Sequence, residues 1–385
     1  MKKAIINGVI VTPEGEMKNK ALYFDKSIIA IDDVGKHQAE EIIDAKGKYV
    51  IPGLVDVHVH GYLGEDVSDG DKQGLRKMAK GILANGVTSF VPTTMTVPWE
   101  EIEASFELVR ALKDESKEED FDGAEILGVH SEGPFINPKK KGAQKDSNIL
   151  APDADKVLPF KDIISIITLA PEMPGGIDSI RKIVQNSDIK VSIGHTDASY
   201  EQAMEAIEAG ADNITHLFNA MTGLNHRAPG VVGAALTSDA YCQVIADGFH
   251  IHPALFSLVY RLKKDKFVLI TDCTRAGGLE DGEYTLGGQP IFVKGVECRL
   301  ADGTIAGSVL KLNKAVYNLR KHTNIPFFEV INAASINAAK SIGVDKFKGS
   351  LEVGKDADIV IMDENCEVYN TFVRGAQKYT KGDSK

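Results

Sequence analysis

No stretch of the 385-residue sequence approaches 18 consecutive apolar residues, so no helix is expected to span a bilayer. No cysteine sits in a CxxC pair; the four, Cys242, Cys273, Cys298 and Cys366, are widely spaced. That spacing argues against a zinc ribbon or a dithiol redox centre and leaves free thiols in a reducing compartment. Positive charge is scarce: 44 Lys and Arg against 55 Asp and Glu give a net charge of −11, with no basic stripe. A nucleic-acid partner is therefore not expected, whereas a small anionic substrate needs only a few local cations. No GxGxxG follows the first buried-strand candidate, which removes the dinucleotide fingerprint; Gly86-Val87-Thr88 opens a strand instead of cradling a phosphate. The start, Met1–Gly8, lacks the extended apolar region of a secretory signal, so a cytoplasmic location is expected. No internal repeat is present.

What the sequence does contain is 43% hydrophobic residues, enough for one large domain with a smaller one attached. The first 50 residues read as short strands separated by turns, at Lys3–Ile10, Lys20–Phe24, Ser27–Ile31 and Tyr49–Ile51. Strand-like segments return at Lys355–Met362 and Val368–Arg374, so both chain ends are expected to build one small β-sandwich domain, residues 1–52 plus 349–385, with a frayed tail. The middle, residues 53–348, alternates. Strands are expected at Val55–Val59, Ser89–Thr93, Ile126–His130, Ile164–Leu169, Lys190–Ile193, Asn213–His216, Cys242–Ile245 and Phe267–Ile270. They lack polar alternation, as strands buried on both faces do. Helical patterns lie between most of them: Lys72–Asn85, Trp99–Leu112, Ile177–Gln185, Tyr200–Ala209 and Pro253–Leu262, with Val309–His322 and Phe327–Ser341 closing the series. This is the count of an α/β (β/α)8 TIM barrel, with a doubly wound open sheet as the alternative. The turn-rich Ala276–Ala306 is expected to form hairpins over the barrel mouth.

Chemistry collects at the strand ends. In Asp56-Val57-His58-Val59-His60 the period of two puts both histidines on one side of a buried strand. Later strand ends carry His130-Ser131-Glu132, Gly194-His195-Thr196-Asp197, Thr215-His216-Leu217-Phe218-Asn219 and Thr271-Asp272. In a barrel these positions face the C-terminal mouth, where functional groups gather. His58, His60, Glu132, His195, His216 and Asp272 offer nitrogen and oxygen donors and no thiolate. Such a set suits Zn²⁺, Fe²⁺, Mn²⁺ or Co²⁺. A bound metal lowers the pKa of water from about 15.7 to about 7. A carboxylate beside it can accept the water proton and pass it to a leaving group. That combination hydrolyses an amide, ester or amidine. His130, His37 and His322 are read as core or surface residues, and Lys139-Lys140-Lys141 as a solvated loop.

These motifs resemble the amidohydrolase superfamily. His130–Phe135, Gly194-His195-Thr196, Thr215–Met221, Ala246–His250, Thr271-Asp272 and Ala306-Gly307-Ser308 resemble more specifically its N-acetylglucosamine-6-phosphate deacetylase family, in order along about residues 1–375. The resemblance extends to Gly354-Lys355-Asp356-Ala357-Asp358, which with the HxH marks only the superfamily. It implies that Glu132, His195 and His216 bind the principal metal, and that His58 and His60 hold a second, giving one or two divalent ions. Glu132 takes the place of a carboxylated lysine on strand four; the strand-four candidate contains no lysine. Asp272 is implied as general base and then acid, with a metal-activated hydroxide attacking the acetamide. Substrate contacts are implied at Ala143, Gln144, Asn219, Ala220, Arg227, His250, Ala306, Gly307 and Ser308. Arg227 comes across a homodimer interface in that family. Gln144 stands where some members carry histidine; glutamine can donate a hydrogen bond there but cannot become charged. His226 and His252 have no matching role. Two other readings stay open on the residues: another amidohydrolase without preference for a 6-phosphate, such as a deaminase or cyclic amidase, and a non-catalytic barrel, which predicts lost ligands.

Overall fold

The apolar runs without polar alternation become the wall of a parallel barrel. Its strands are β1 (Leu54–Val59), β2 (Val87–Thr94), β3 (Val129–Glu132), β4 (Ile164–Leu169), β5 (Lys190–Ile193), β6 (Asn213–Ile214), β7 (Tyr241–Ile245) and β8 (Phe267–Ile270). Neighbours pair in parallel from β1 to β8. The ring closes where the Asp272 N–H donates to the His58 carbonyl at 2.9 Å and Val59 bridges Cys273. Deeper in that seam the buried Asp56 carboxylate takes over from the backbone, accepting from Thr271 Oγ1 at 2.6 Å. Burial pushes the Asp56 carboxyl up to about 6, against the hydrogen bonds from Thr271 and His58 that favour its ionised form. This computed structural model describes residues 1–382; residues 383–385, the end of the expected frayed tail, lie outside the described residues.

Several elements depart from expectation, among them Lys3–Ile10, which divides into Lys3–Ile6 and Val9–Thr12 in different sheets. The third strand is interrupted: Glu125–Ile126 pairs with β2, and the ladder resumes only at β3. Gly128 sits between them at φ 138°, where a Cβ would fall 2.1 Å from Ser165 Oγ, so the chain can kink there only without a side chain. The Phe327–Ser341 pattern divides into helices Phe327–Ala333 and Ile336–Ser341. A helix at Gly230–Thr237 was not expected; its residues through Ala235 are all buried, so it carries no apolar stripe for a periodicity argument to find.

Strands from both chain ends share one sheet, in the order Ala376–Thr380, Val368–Val373, Ile359–Met362, Tyr49–Pro52, Val9–Thr12, Gly15–Met17. A four-stranded sheet, Ile28–Asp32, Ala21–Phe24, Lys3–Ile6 and Glu41–Asp44, supplies Leu22 and Phe24 to a small core that also holds Ile359 and Phe372 of the first sheet. The expected mouth hairpins are a three-stranded antiparallel sheet of Gly282–Leu286, Gln289–Lys294 and Glu297–Leu300.

The Gly354–Asp358 segment has a structural task. Lys348 is buried and its Nζ lies 2.6 Å from Glu125, 2.9 Å from Asp356 and 2.9 Å from Asp358, tying the chain end to the barrel. Burial disfavours its charge, but the three carboxylates win and hold the ammonium above its ordinary range. Lys348→Met removes the only cation of that group and leaves buried carboxylates facing one another. Loss of one partner from a buried ion pair costs about 3–5 kcal/mol. The urea midpoint of the full chain is expected to fall accordingly; a shift worth less than about 1 kcal/mol would show the network to be dispensable.

Candidate active site and metal centre

Three of the expected chemical residues sit just past a strand end in left-handed backbone: His195 at φ 48°, His216 at φ 29° and Asp272 at φ 51°. Non-glycine residues avoid this region, at a cost of about 1–3 kcal/mol each, and such strain gathers at functional sites. Here the reversal turns each side chain back over the barrel axis. Asp272 is further fixed by the Ser308 N–H donating to its carbonyl at 2.7 Å. Gly307 lets that segment approach: a Cβ on it would lie 3.0 Å from the Asp272 carbonyl and 2.7 Å from Thr274 Cγ2.

The six donors meet. Glu132 Oε1 lies 3.0 Å from His216 Nε2, 3.3 Å from His195 Nε2 and 3.2 Å from His58 Nε2; Oε2 lies 3.2 Å from His60 Nε2. Asp272 Oδ1 lies 3.4 Å from His58 Nε2 and 3.3 Å from His60 Nε2. Two buried groups result, Glu132–His195–His216 and His58–His60–Asp272, each with its ligand atoms within 4.8 Å of one another.

This arrangement fits a metal on three counts. His58 Nδ1 faces Gln243 Oε1 at 3.0 Å, His60 Nδ1 faces the Thr93 carbonyl at 3.1 Å, and His195 Nδ1 faces the Lys140 carbonyl at 2.8 Å. Each acceptor holds the proton on Nδ1 and leaves the Nε2 lone pair directed at the cluster, as second-shell partners of metal-bound imidazoles do. The spacing also matches: nitrogens held at 2.0–2.1 Å by a tetrahedral ion stand about 3.3–3.4 Å apart. His58 and His60 Nε2 are 3.4 Å apart, and His195 and His216 Nε2 are 3.1 Å apart. Finally, Glu132 and Asp272 are both buried, and among the described residues histidines are their only ionic partners. Without an ion, charge balance falls on those imidazoles. Burial disfavours charge on His58 and His60, yet the two carboxylates raise both. A divalent cation removes that demand.

A cavity of about 340 Å³ opens above the cluster. His60, Glu132, His195, His216 and Asp272 form its floor, and of the expected contact residues Ala143, Gln144, Asn219, Ala220, His250 and Gly307 line it. His250 is held by Asp247, whose Oδ2 lies 2.6 Å from Nδ1, so Nε2 is the free atom. Ala306 and Ser308 lie behind the wall: both are buried, and Ser308 Oγ donates to the Thr271 carbonyl at 2.6 Å. Arg227 is exposed and outside its own chain's cavity. Gln144 reaches Glu132 with its side-chain amide, at 2.7 Å. The lysine run read as a solvated loop is partly a wall of the site, since Lys139 and Lys140 line the cavity and the Lys140 carbonyl positions His195. His130 stays out of the cluster, beneath it, with Nε2 2.7 Å from Thr168 Oγ1. All four cysteines are free and buried.

A family model for the amidohydrolase family matches residues 49–378. The chain belongs to this family. Among curated amidohydrolase relatives, N-acetylglucosamine-6-phosphate deacetylase of Bacillus subtilis (strain 168) is 41% identical over 343 residues, 88% of this chain and 86% of the relative. N-acetylgalactosamine-6-phosphate deacetylase of Escherichia coli O157:H7 is 35% identical over 95% of this chain and 96% of its own length. The crystal structure of N-acetylglucosamine-6-phosphate deacetylase from Pasteurella multocida superposes with a TM-score of 0.93 at 32% identity, covering 98% of this chain and 99% of that one. Family membership and the donor set together support a divalent metal in this amidohydrolase.

Several contributors escaped sequence reasoning. Gln243 and the carbonyls of Thr93 and Lys140 orient imidazoles, yet carbonyls leave no mark in a sequence, and Gln243 lies 185 residues from His58. Met95, Thr304 and Ile305, and Leu286 at the end of a mouth strand, line the cavity from segments whose approach is set only by the fold.

Proposed function

We propose that this chain hydrolyses the acetamide of N-acetyl-D-glucosamine 6-phosphate to D-glucosamine 6-phosphate and acetate, a step of amino-sugar catabolism and cell-wall sugar recycling. The observation that carries the reading is one cavity of about 340 Å³ that joins the donor cluster, Asp272 and His250. Its size falls within the range of small-molecule sites, roughly 300–1,000 Å³.

Glu132, His195 and His216 would hold the principal divalent ion, and His58 and His60 a second beside Asp272; Zn, Fe, Mn and Co all suit these donors. When bound, the ion supplies Lewis-acid polarisation and an acidified water. Asp272 accepts the proton of the attacking water and returns it to the departing amine. Its Oδ1 suits that role: it is buried beside two imidazoles and has no hydrogen-bond partner. The bridge between Ser308 and the Asp272 backbone keeps the carboxylate over the cluster. His250 offers Nε2 to the phosphate, and Asn219 and Ala220 sit on the same wall. Ala143 and Gly307 complete the walls, and Met95 and Leu286 give apolar surface for the acetyl methyl group.

Arg227 completes the site in this reading from a second copy of the chain, as a homodimer, because it stands exposed and away from its own cavity. A guanidinium fork matches phosphate oxygens. Arg227→Ala is expected to raise KM about 10- to 100-fold, the worth of a charged hydrogen bond, with kcat little changed. The variant's KM for unphosphorylated N-acetylglucosamine should not move. An equal effect on both sugars would remove Arg227 from the phosphate site. A cytoplasmic location accords with this small phosphorylated substrate.

Acetate release tests the whole reading. Metal-stripped protein is titrated with each of the four ions on N-acetylglucosamine 6-phosphate, on its galactosamine epimer and on the unphosphorylated sugar. Metal-dependent release favouring the phosphorylated glucosamine derivative is the expected result. No release from any sugar would send the assignment to cyclic amides and aminopurines.

A further inference from the structure

Gln144 is buried, and both ends of its amide are engaged. Its Oε1 accepts from the Thr96 N–H at 2.7 Å, and its Nε2 donates to Glu132 Oε2 at 2.7 Å. The amide cannot be turned round. The Thr96 N–H can only donate and an ionised carboxylate can only accept, so the oxygen must face one and the nitrogen the other. Thr96 is itself fixed: its Oγ1 donates to the Glu132 carbonyl at 3.3 Å, and its own carbonyl accepts from Asn148 Nδ2 at 3.2 Å. Thr96, Gln144 and Glu132 thus close a ring that grips Glu132 by both backbone and side chain.

The grip falls on one oxygen. Oε1 faces His195, His216 and His58, whereas Oε2 is shared between Gln144 and His60. We propose that Gln144 is a positioning residue that acts through Glu132: it occupies Oε2 and presents Oε1 to the His195–His216 pair, so that the Glu132 cluster binds its ion tightly. The proposal rests on the reading of that cluster as a metal centre. It reassigns Gln144 from the substrate's acetyl group to the metal. Without this donor the carboxylate is free to rotate about its terminal torsion, and Oε2 carries more of the charge. Outer partners of metal ligands are typically worth about 10- to 100-fold in metal affinity.

Chelator competition on metal-stripped protein, with Zn²⁺ as the probe and no sugar present, measures this directly. Gln144→Leu is expected to weaken binding of the first equivalent about 10- to 100-fold. Gln144→His, which keeps an N–H donor, should recover at least part of the loss. Gln144→Leu leaves the Thr96 N–H without its acceptor, so the melting temperature of the stripped protein is expected to fall as well; that fall with unchanged Zn²⁺ affinity would mark Gln144 as mere filling and overturn the proposal. Turnover gives the complementary readout. The Zn²⁺ concentration that gives half-maximal turnover should rise in the Leu variant by the same factor as its dissociation constant. Normal Zn²⁺ affinity with kcat still low at saturation would return Gln144 to the substrate carbonyl. Because binding is read without sugar, failure of the deacetylase assignment would leave the affinity result intact.

Discussion

Asp272→Asn should lower kcat on N-acetylglucosamine 6-phosphate by about 10²- to 10⁴-fold, the usual worth of a positioned general acid–base. The substitution keeps the shape of the side chain and one oxygen beside the imidazoles, but an amide cannot take up and return a proton at neutral pH. KM should stay within a few-fold, because the phosphate contacts assigned to His250 and Arg227 lie elsewhere on the wall. The environment supports the base role. Burial disfavours the charged carboxylate, yet in the metal-free protein His58 and His60 hold it below the ordinary carboxylate range, so the group is ionised, the form from which a proton can be accepted. The Asp272 backbone is pinned to both β1 and Ser308, which fixes where its side chain starts. Steady-state kinetics on the variant with Zn²⁺ content measured in parallel separates chemistry from metal loss. Turnover within tenfold of wild type at full metal content would exclude Asp272 as the proton carrier.

The barrel was legible because its strands are buried on both faces and read as unbroken apolar runs; β4, β5 and β8 fall where the pattern put them. The donor set was legible for a related reason. In a parallel barrel every strand ends at the same rim, so polar residues immediately after apolar runs converge without any knowledge of loop paths. What could not be read depends on long-range approach. At Gly128 the kink leaves no room for a side chain beside Ser165, the burial of Gly230 through Ala235 erases the period of that helix, and the lysine run reaches the cavity where the Lys140 carbonyl meets His195. Gln144 shows the same limit from the other side. Its position next to the site was visible in the sequence, whereas its attachment to Glu132 depends on where Thr96 stands.

Glu132→Ala should abolish metal binding at the principal cluster and with it turnover. Glu132 is the only carboxylate in its group, and its oxygens lie within 3.3 Å of all four converging imidazoles. Removing a direct anionic ligand must cost more than removing an outer partner, so affinity should fall by more than about 100-fold. The consequence appears in stability as well as in activity. A ligand at 100 times its Kd stabilises the folded state by about 2.7 kcal/mol, and that increment disappears when Kd rises past the working concentration. The metal-free variant should start lower, because the imidazoles hold the Glu132 carboxyl well below its ordinary range and Gln144 loses its acceptor. The expected result is therefore a wild-type protein whose melting temperature climbs with added Zn²⁺ and a Glu132→Ala protein whose lower melting temperature is flat over the same titration. If the variant gained the full wild-type increment, the ion would have to be held by His58, His60 and Asp272 alone, and the principal centre would move to that cluster.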